Sequence, residues 1–214
     1  MKTLAFPLLA ALVALPVLSG CDSNDDDETT YDVQFTALNN SGVTGTAELT
    51  MDDNDFTVEI DADDLDATVH PQHIHGAPGG TVTAQAVCPT MADDANADGF
   101  VDVLEGLPRY GAILLPLDDD ISTQAQNVSG FPTGTSIDYS ESTSVVALRS
   151  ALVKDDSDTS DPIGTLGADG IVDLDDYVIV IHGTNDELPA SVGTLPGLPS
   201  QATLPVACGR ITRS

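Results

Sequence analysis

Alternation of apolar and polar residues along the chain indicates several short β-strands. Residues 56–61 alternate strictly, as a half-buried strand does, and residues 33–38 and 47–51 show a weaker form of the same pattern. Residues 81–87 are small or β-branched, which favours strands. Residues 177–182 are nearly all apolar, which is typical of a central strand buried on both faces. The pattern therefore predicts an all-β fold.

The segments between the predicted strands are less regular. Residues 88–140 and 155–170 contain many Gly, Pro and Asp residues, so we expect them to be mainly loops. Residues 142–154 carry apolar side chains at helical spacing and predict one short helix. Residues 188–205 contain four prolines and are expected to form an extended connector. Short strands joined by long loops predict a Greek-key β-sandwich or barrel.

The amino-terminal segment has the layout of a bacterial lipoprotein signal. Residues 1–20 contain Lys2 and then an apolar run that is too short to span a bilayer comfortably. Small residues precede Cys21, whose sulfur would carry the lipid; an ordinary signal peptide with an incidental cysteine is the alternative. Residues 21–30 are polar and acidic and predict a solvated tether to one domain at residues 31–214. We therefore expect an exported protein, lipid-anchored to a bacterial membrane on the periplasmic or surface side of the cell envelope.

The charge of the chain limits its partners. It has 35 acidic and 6 basic residues and a formal net charge of −29. Nucleic acid is excluded as a partner because its phosphates repel such a chain. The charge attracts cations, but acidic surfaces also occur in proteins adapted to salt, so charge alone does not predict a metal site.

Two cysteines remain after Cys21, namely Cys88 and Cys208. An exported protein meets an oxidising compartment, in which a disulfide between them is the expected state. It would close a loop of more than a hundred residues and stabilise the fold by about 4–5 kcal/mol in the chain-entropy model. Two buried thiols are the alternative.

The four histidines of the chain form a pattern that predicts a metal site. His73 and His75 are two residues apart, so in a strand both imidazoles face the same side. His182 ends the strongly apolar strand and can supply a third imidazole. Three imidazoles suit copper or zinc. His70 can position one of the metal-binding histidines without binding the metal itself. The alternative is that the histidines are unrelated structural residues.

The same residues resemble the Cu/Zn superoxide dismutase family. Residues 70–76, HPQHIHG, are similar to its copper-binding strand, and residues 178–182 are similar to a later strand that ends in another copper ligand. Residues 204–211 resemble its carboxy-terminal stretch with the disulfide cysteine, and Cys88 follows the H-x-H as the partner cysteine does. The chordin-type (CHRD) domains, which also contain an H-I-H-G strand, are a second resemblance.

The resemblance implies a dismutase-type β-sandwich, one copper on His73, His75 and His182, and superoxide dismutation as the activity. The chain departs from the family in two respects. It has no histidine between His75 and His182, so the family's zinc site cannot be built, and Pro205 replaces the arginine that attracts superoxide. The alternatives are therefore a non-enzymatic, calcium-stabilised CHRD-like binding or structural domain, and a copper storage or delivery protein.

Residues 94–105, DANADGFVDVLE, match the calcium-binding loop of the EF-hand pattern. Oxygen ligands recur at alternate positions, glycine permits the sharp turn at position 6, and a glutamate that can bind with both oxygens ends the loop. The predicted calcium ligands are Asp94, Asn96, Asp98, the backbone carbonyl of Phe100, Asp102 and Glu105. An acidic, solvated turn is the alternative. Residues 169–176 repeat only the second half of the pattern, and we interpret them as a turn.

Overall fold

The fold is known from a computed structural model, which describes residues 28–76, 85–152, 174–175 and 177–214. The predicted signal peptide, Cys21 and most of the predicted tether lie outside the described residues, as does the predicted loop at 155–170. The last two residues of the predicted tether, Thr29 and Thr30, belong to the first strand.

Nine strands of the described residues form one curled antiparallel sheet, so the predicted all-β fold is confirmed. The strands are β1 (Thr29–Gln34), β2 (Thr36–Ala37), β3 (Thr44–Met51), β4 (Asp55–Val69), β5 (Gln72–Gly76), β6 (Ala112–Pro116), β7 (Thr133–Ser144), β8 (Val178–His182) and β9 (Pro205–Arg213). Their order is β6-β5-β8-β9-β1-β3-β4-β7, and β2 pairs with the first half of β9 beyond the end of β1.

The main core lies on the inner side of the curl. Phe56, Val58 and Ile60 alternate with outward-facing polar residues in β4 and are almost completely buried. Ile179 and Ile181 of β8 belong to the same core. Burial of one such side chain stabilises the fold by about 1.5–3 kcal/mol, which explains why the alternation in residues 56–61 predicts this strand correctly.

A second apolar cluster covers the other face of β8, which explains the continuous apolar sequence of that strand. Val178 and Val180 pack there with Cys208, Tyr110 and the partly buried Leu107. The cover includes Leu38, Ala86 and the α1 residues Leu107 and Tyr110, so β8 is buried on both faces. This second face, opposite the main core, is the one that carries the candidate site.

The helices of the described residues are short. They are α1 (Val103–Tyr110), α2 (Val145–Leu152) and α3 (Ser200–Thr203). No helix in the described ranges has the length and apolar character needed to span a membrane. The helix predicted at 142–154 is present as α2, but residues 142–144 belong to β7 because they pair with β4.

Other expectations for the loops need correction. Residues 88–140 were expected to be mainly irregular, yet they contain α1, β6 and the first part of β7. Of the strand predicted at 81–87, residues 81–84 lie outside the described residues and the rest are not in a strand. The segment at 188–205, expected to be an extended connector, instead contains turns at 189–192 and 195–198, helix α3 and the start of β9. These differences arise because tertiary pairing, rather than local pattern, decides the structure of weakly patterned segments.

The outer face of the sheet is strongly acidic. Asp32 of β1 lies opposite Glu48 of β3, which lies opposite Glu59 of β4. Asp61 of β4 lies opposite Asp138 of β7. All five side chains are exposed, and like charges directly opposite in a sheet repel each other. The fold therefore presents a negative surface to any approaching anion.

Candidate metal centre

Three of the four histidines project from β5 and β8 onto the face opposite the main core. His73 and His75 are two residues apart in β5, so their side chains share a face. Strand β8 pairs His73 with Val180 and His75 with Val178. His182 ends β8 two residues after Val180 and joins the same side of the sheet. The structure therefore brings together the three histidines that the sequence analysis grouped.

The three imidazoles are close enough to bind one ion. The ring centroid of His73 lies 5.5 Å from that of His75 and 5.5 Å from that of His182, and the His75 and His182 centroids are 5.9 Å apart. One ring nitrogen of each lies within 4.8 Å of the other two. Nitrogens bound to one ion at about 2 Å lie at most about 4 Å apart, so small side-chain rotations complete the site. Within the described ranges, no other group of three His, Cys, Asp or Glu residues converges this closely.

Backbone carbonyls fix the tautomers of two of these histidines. Nδ1–H of His75 donates to the carbonyl of Gly111 at 3.0 Å, and Nδ1–H of His182 donates to the carbonyl of Thr203 at 2.8 Å. A neutral imidazole that donates from Nδ1 keeps its lone pair on Nε2. Nε2 of His75 is buried and has no hydrogen-bond partner. Both residues therefore offer Nε2 to a metal.

His73 has the opposite arrangement. Its Nε2–H donates to Oε1 of Gln126 at 3.3 Å, while its Nδ1 is buried and has no partner. A buried polar atom without a partner costs about 1–3 kcal/mol, and this site contains two of them, on His73 and His75. A metal ion that accepts their lone pairs removes that cost. The donor set is then Nδ1 of His73 and Nε2 of His75 and His182.

Burial keeps the three imidazoles neutral. Desolvation lowers the pKa of His75 to about 3 and that of His182 to about 4. Desolvation also places the pKa of His73 well below its usual 6.5, and the nearby His75 and His182 lower it further. Only the neutral form has a free lone pair, so the site is ready to bind a metal at neutral pH.

His70 lies behind the cluster and not within it. The ring is fully buried, with Nδ1 3.0 Å from the carbonyl oxygen of His182 and Nε2 2.8 Å from that of Asp66. Gly183 permits this approach, because its φ is +108° and a Cβ would lie 2.4 Å from the carbonyl oxygen of Val69. His70 thus braces the backbone of His182, consistent with its predicted supporting position.

Aromatic rings and α1 shield the cluster from solvent. Tyr110, the last residue of α1, lies edge-on to His75 with 4.7 Å between centroids, and Phe131 lies 5.4 Å from His73. A disulfide joins Cys88 to Cys208, with Cα atoms 5.6 Å apart. It fixes the segment before α1 against β9, the neighbour of β8. The cover over the histidines is therefore covalently attached to the sheet.

The predicted calcium loop forms a compact turn directly before α1. Asp94 accepts hydrogen bonds from the amides of Asp98 and Gly99, and Asn96 accepts a second one from Asp98. Asp98 in turn accepts from the amide of Phe100. A carboxylate oxygen that accepts one N–H keeps a lone pair for a cation. Gly99 has a φ of +95°, as the sharp turn of the pattern requires.

Two residues of this loop also cap α1. The carboxylate of Asp102 accepts from the amides of Leu104 and Glu105, and Glu105 accepts from the amide of Asp102 in return. This reciprocal capping box explains how an eight-residue helix begins here although it contains Gly106 and Pro108. The other oxygen of Glu105 accepts from the amides of Ala95 and Asn96. Glu105 thereby closes the loop onto its own first turn.

Hydrogen bonds attach the loop to the start of β9 and to the segment before α3, which both lie near the histidine cluster. Asn39, at the turn after β2, bonds to both backbone groups of Val101 and to the carbonyl of Pro205. Asp102 accepts from the amide of Gly193, in the segment that leads to α3. Ser191 lowers the pKa of Asp98 through its side chain, yet Oδ2 of Asp98 is buried and receives no hydrogen bond of normal geometry.

Several residues that shape the site carry no sequence signal. Gly111 and Thr203 act through backbone carbonyls, which every residue possesses, so no residue type marks them. Gln126 lies in a segment without periodicity, 53 positions after His73. Tyr110 was detectable only as one of the few aromatic residues of the chain. Residue 176 and nearly all of the second, partial loop pattern lie outside the described residues.

Comparisons with known proteins add no assignment to this geometry. A scan against models of protein families finds no match, and a search of curated proteins finds none either.

Proposed function

We propose that this protein is an exported, lipid-anchored copper-binding protein whose copper is held by His73, His75 and His182. The observation that carries the proposal is the pair of buried, unpartnered ring nitrogens on His73 and His75, next to a third imidazole whose tautomer is fixed. The other nitrogen of each ring is held by a protein acceptor, as is common for metal-binding histidines.

The donor set favours copper over other ions. Calcium and magnesium prefer oxygen ligands, and the three histidines offer nitrogen alone. Among divalent first-row metals, copper binds a given nitrogen site most tightly, ahead of both nickel and zinc. Copper, when bound, supplies one-electron redox chemistry. The chain holds the imidazoles neutral, orients them through backbone carbonyls, and excludes water with Tyr110 and Phe131.

Superoxide dismutation is the reaction that the resemblance implies for such a site. The succession of the H-x-H strand β5, the histidine at the end of β8 and the disulfide cysteine in β9 supports this reading. The acidic surface opposes it, because a net charge of −29 repels an anionic substrate. Copper binding is therefore the main proposal, and dismutation is its first candidate activity. A dismutase assay of the copper-loaded protein tests that activity separately.

The copper site is tested by elemental analysis of the mature domain, purified without Cys21 and offered copper and zinc in equal amounts. We expect about one copper per chain in the natural sequence. The double variant His73→Gln and His182→Gln is expected to lose at least about 100-fold in copper affinity, because one imidazole cannot hold the ion alone. Full copper retention in that variant would contradict the proposal.

The variant His70→Gln is the matched control for the loss of a histidine. Its side chain supports the backbone of His182 and contributes no ligand atom. We therefore expect it to keep a stoichiometry of one copper, with affinity reduced by about 10-fold to 100-fold, as is typical when a supporting partner is removed. Loss of copper in all variants alike, with a lower melting temperature, would indicate a structural role for the histidines.

The second metal that we propose is calcium, bound by Asp94, Asn96, Asp98, the carbonyl of Phe100, Asp102 and Glu105. Support comes from the complete ligand pattern and from the turn, in which side-chain oxygens of Asp94 and Asn96 both accept from the amide of Asp98. Glu105 would exchange its amide contacts for the ion. Without any role for copper, the same loop supports the alternative function, a calcium-stabilised, CHRD-like binding or structural domain.

Calcium binding is expected to raise the stability of the domain. At a free concentration 100 times the dissociation constant, the free energy of unfolding should rise by about 2.7 kcal/mol. The variant Asp94→Asn with Asp98→Asn should lose this gain, measured as the shift in melting temperature between calcium and chelator. The control Asp53→Asn with Asp55→Asn changes the charge equally at the exposed β3–β4 turn and should keep the gain. Equal shifts in both variants would refute the loop site.

A further inference from the structure

A small cavity lies directly against the three imidazoles. It has a volume of about 60 Å³ and touches His73, His75 and His182. Its walls include Val103 and Leu107 of α1, Ile113 of β6 and Leu195 of the segment before α3. One water occupies about 30 Å³ in the liquid, so the cavity has room for a small molecule of two heavy atoms. A metal held by three histidines alone would keep a further coordination position for a ligand, and the cavity borders all three rings.

The surface that this cavity exposes is apolar. Apart from the histidines, its walls consist of aliphatic side chains and Thr203. The hydroxyl of Thr203 is already engaged, because it lies 2.9 Å from the hydroxyl of Thr194. Among the described residues, the lining therefore offers an incoming molecule no free hydrogen-bond donor. An anion that enters has only the charge of the bound ion to offset the loss of its water, whereas an uncharged molecule loses little hydration.

No cationic side chain of the described residues lines this cavity. Arginines in the described part of the chain are Arg109, Arg149, Arg210 and Arg213, and none of them lines the cavity. Arg109 belongs to α1 but pairs with Asp93 at 3.5 Å, on the helix surface. The overall charge of −29 adds a repulsive field. The lining of the cavity and the negative field of the whole protein therefore both disfavour anions.

We infer that the open face of the histidine-bound copper admits small uncharged molecules, of the class of dioxygen, nitric oxide and carbon monoxide, and excludes anions. The inference rests on the proposed copper site, whose ligand it specifies. It places the protein among those that bind or sense a neutral diatomic molecule. Superoxide has the size of dioxygen, but its negative charge is disfavoured by the apolar lining and by the acidic protein, so the dismutase activity implied by resemblance is expected to be low.

The test compares a neutral with an anionic probe on the copper-loaded protein. Carbon monoxide is added to the Cu(I) form and followed by its infrared stretching band, and azide is added to the Cu(II) form and followed by its charge-transfer absorption. We expect a single sharp carbon monoxide band and no azide complex at millimolar concentration. A protein that binds azide and not carbon monoxide would overturn the inference while leaving the copper site intact.

Cavity variants sharpen this result. Leu107→Arg places a cation in the wall and is expected to raise azide affinity by about 10-fold or more, because a unit charge pair at partial burial contributes at least about 1.4 kcal/mol. Val146→Arg adds the same charge on the exposed side of α2, where the side chain is 73% exposed, and should change azide affinity little. Leu195→Arg places the same cation in the segment before α3, which also lines the cavity, and should raise azide affinity similarly. Equal effects at all three positions would show that general charge, and not the cavity, controls access.

A metal-free measurement separates this inference from the copper proposal. Xenon binds apolar cavities that water leaves empty, so we expect a shifted xenon resonance in the metal-free protein, abolished by Leu107→Arg and kept in Val146→Arg. Failure to bind copper, with xenon bound as expected, would refute the copper site and leave an apolar gas-sized cavity. Copper bound without xenon or carbon monoxide would refute the inference alone.

Discussion

Replacing both Cys88 and Cys208 with alanine is expected to lower the free energy of unfolding by about 4–5 kcal/mol. The disulfide joins residues 120 positions apart, so it lowers the entropy of the unfolded chain by the amount that closing a loop of this length costs. Urea unfolding of the oxidised natural protein and of the double alanine variant measures the difference. The disulfide also holds the segment that leads to α1, so the variant should bind copper more weakly.

The reduced natural protein is the control for this prediction. It contains both sulfur atoms but no covalent link, and it should unfold at nearly the same urea concentration as the alanine variant. Cys208 is only 1% exposed, so some loss in the variant comes from its smaller side chain. Comparison of the two separates that packing loss from the effect of the link. A loss below about 1 kcal/mol in the reduced protein would contradict the entropic argument.

The strands that were predicted correctly are those whose burial is visible in the sequence as a regular pattern of apolar residues. In β4, Phe56, Val58 and Ile60 face the core while their neighbours face solvent, and the two-residue period follows directly. In β8 both faces are covered, so the sequence is apolar at successive positions. The pattern of buried and exposed positions was therefore sufficient to predict these two strands from the sequence alone.

The elements that could not be predicted owe their structure to their neighbours. Strand β7 is mostly Ser, Thr, Gly and acidic residues, and only Ile137 and Tyr139 of its twelve residues are buried. It is a strand because it pairs with β4 over most of its length. Helix α1 contains Gly106 and Pro108, which oppose helix formation in isolation. Its capping box and its packing over the histidine cluster compensate for them.

The three histidines of the candidate site could be predicted from the sequence, but the residues that surround them could not. The spacing of His73 and His75 fixes their common face as soon as the segment is extended. The convergence of His182 depends on the pairing of β5 with β8, for which the local sequence contains no signal. The apolar cavity depends on three segments distant in sequence, and resemblance to an anion-using family gave the opposite expectation. The lining of the cavity, as well as the three histidines, therefore determines which molecules can reach the proposed metal.

In the absence of metal, the domain is expected to lose stability steeply as the pH falls from about 6.5 to about 4. The unfolded histidines have a pKa near 6.5, whereas burial lowers the pKa of His75 to about 3 and that of His182 to about 4, and that of His73 well below 6.5. Between these values the unfolded state binds more protons than the folded state, so protonation favours unfolding. The stabilisation is complete above pH 6.5 and is lost below it.

Three such groups give a slope of up to about 4 kcal/mol per pH unit, since each proton contributes about 1.4 kcal/mol. Urea unfolding at a series of pH values in the presence of a chelator measures this slope. Most carboxylates titrate near pH 4, so they contribute little between pH 6 and pH 5. In that interval the histidines dominate, although the chain carries 35 acidic residues.

The double variant His73→Gln and His182→Gln controls for the assignment of this slope. It leaves one buried histidine in the cluster, so the slope between pH 6 and pH 5 should fall to about 1.4 kcal/mol per pH unit, whatever the absolute stability of the variant. An unchanged slope would show that other groups bind the protons. Bound copper should protect the natural protein in the same interval, because the metal and the protons compete for the same lone pairs. Acid release of copper and acid unfolding are therefore expected to occur together, as two consequences of burying three neutral imidazoles around one point.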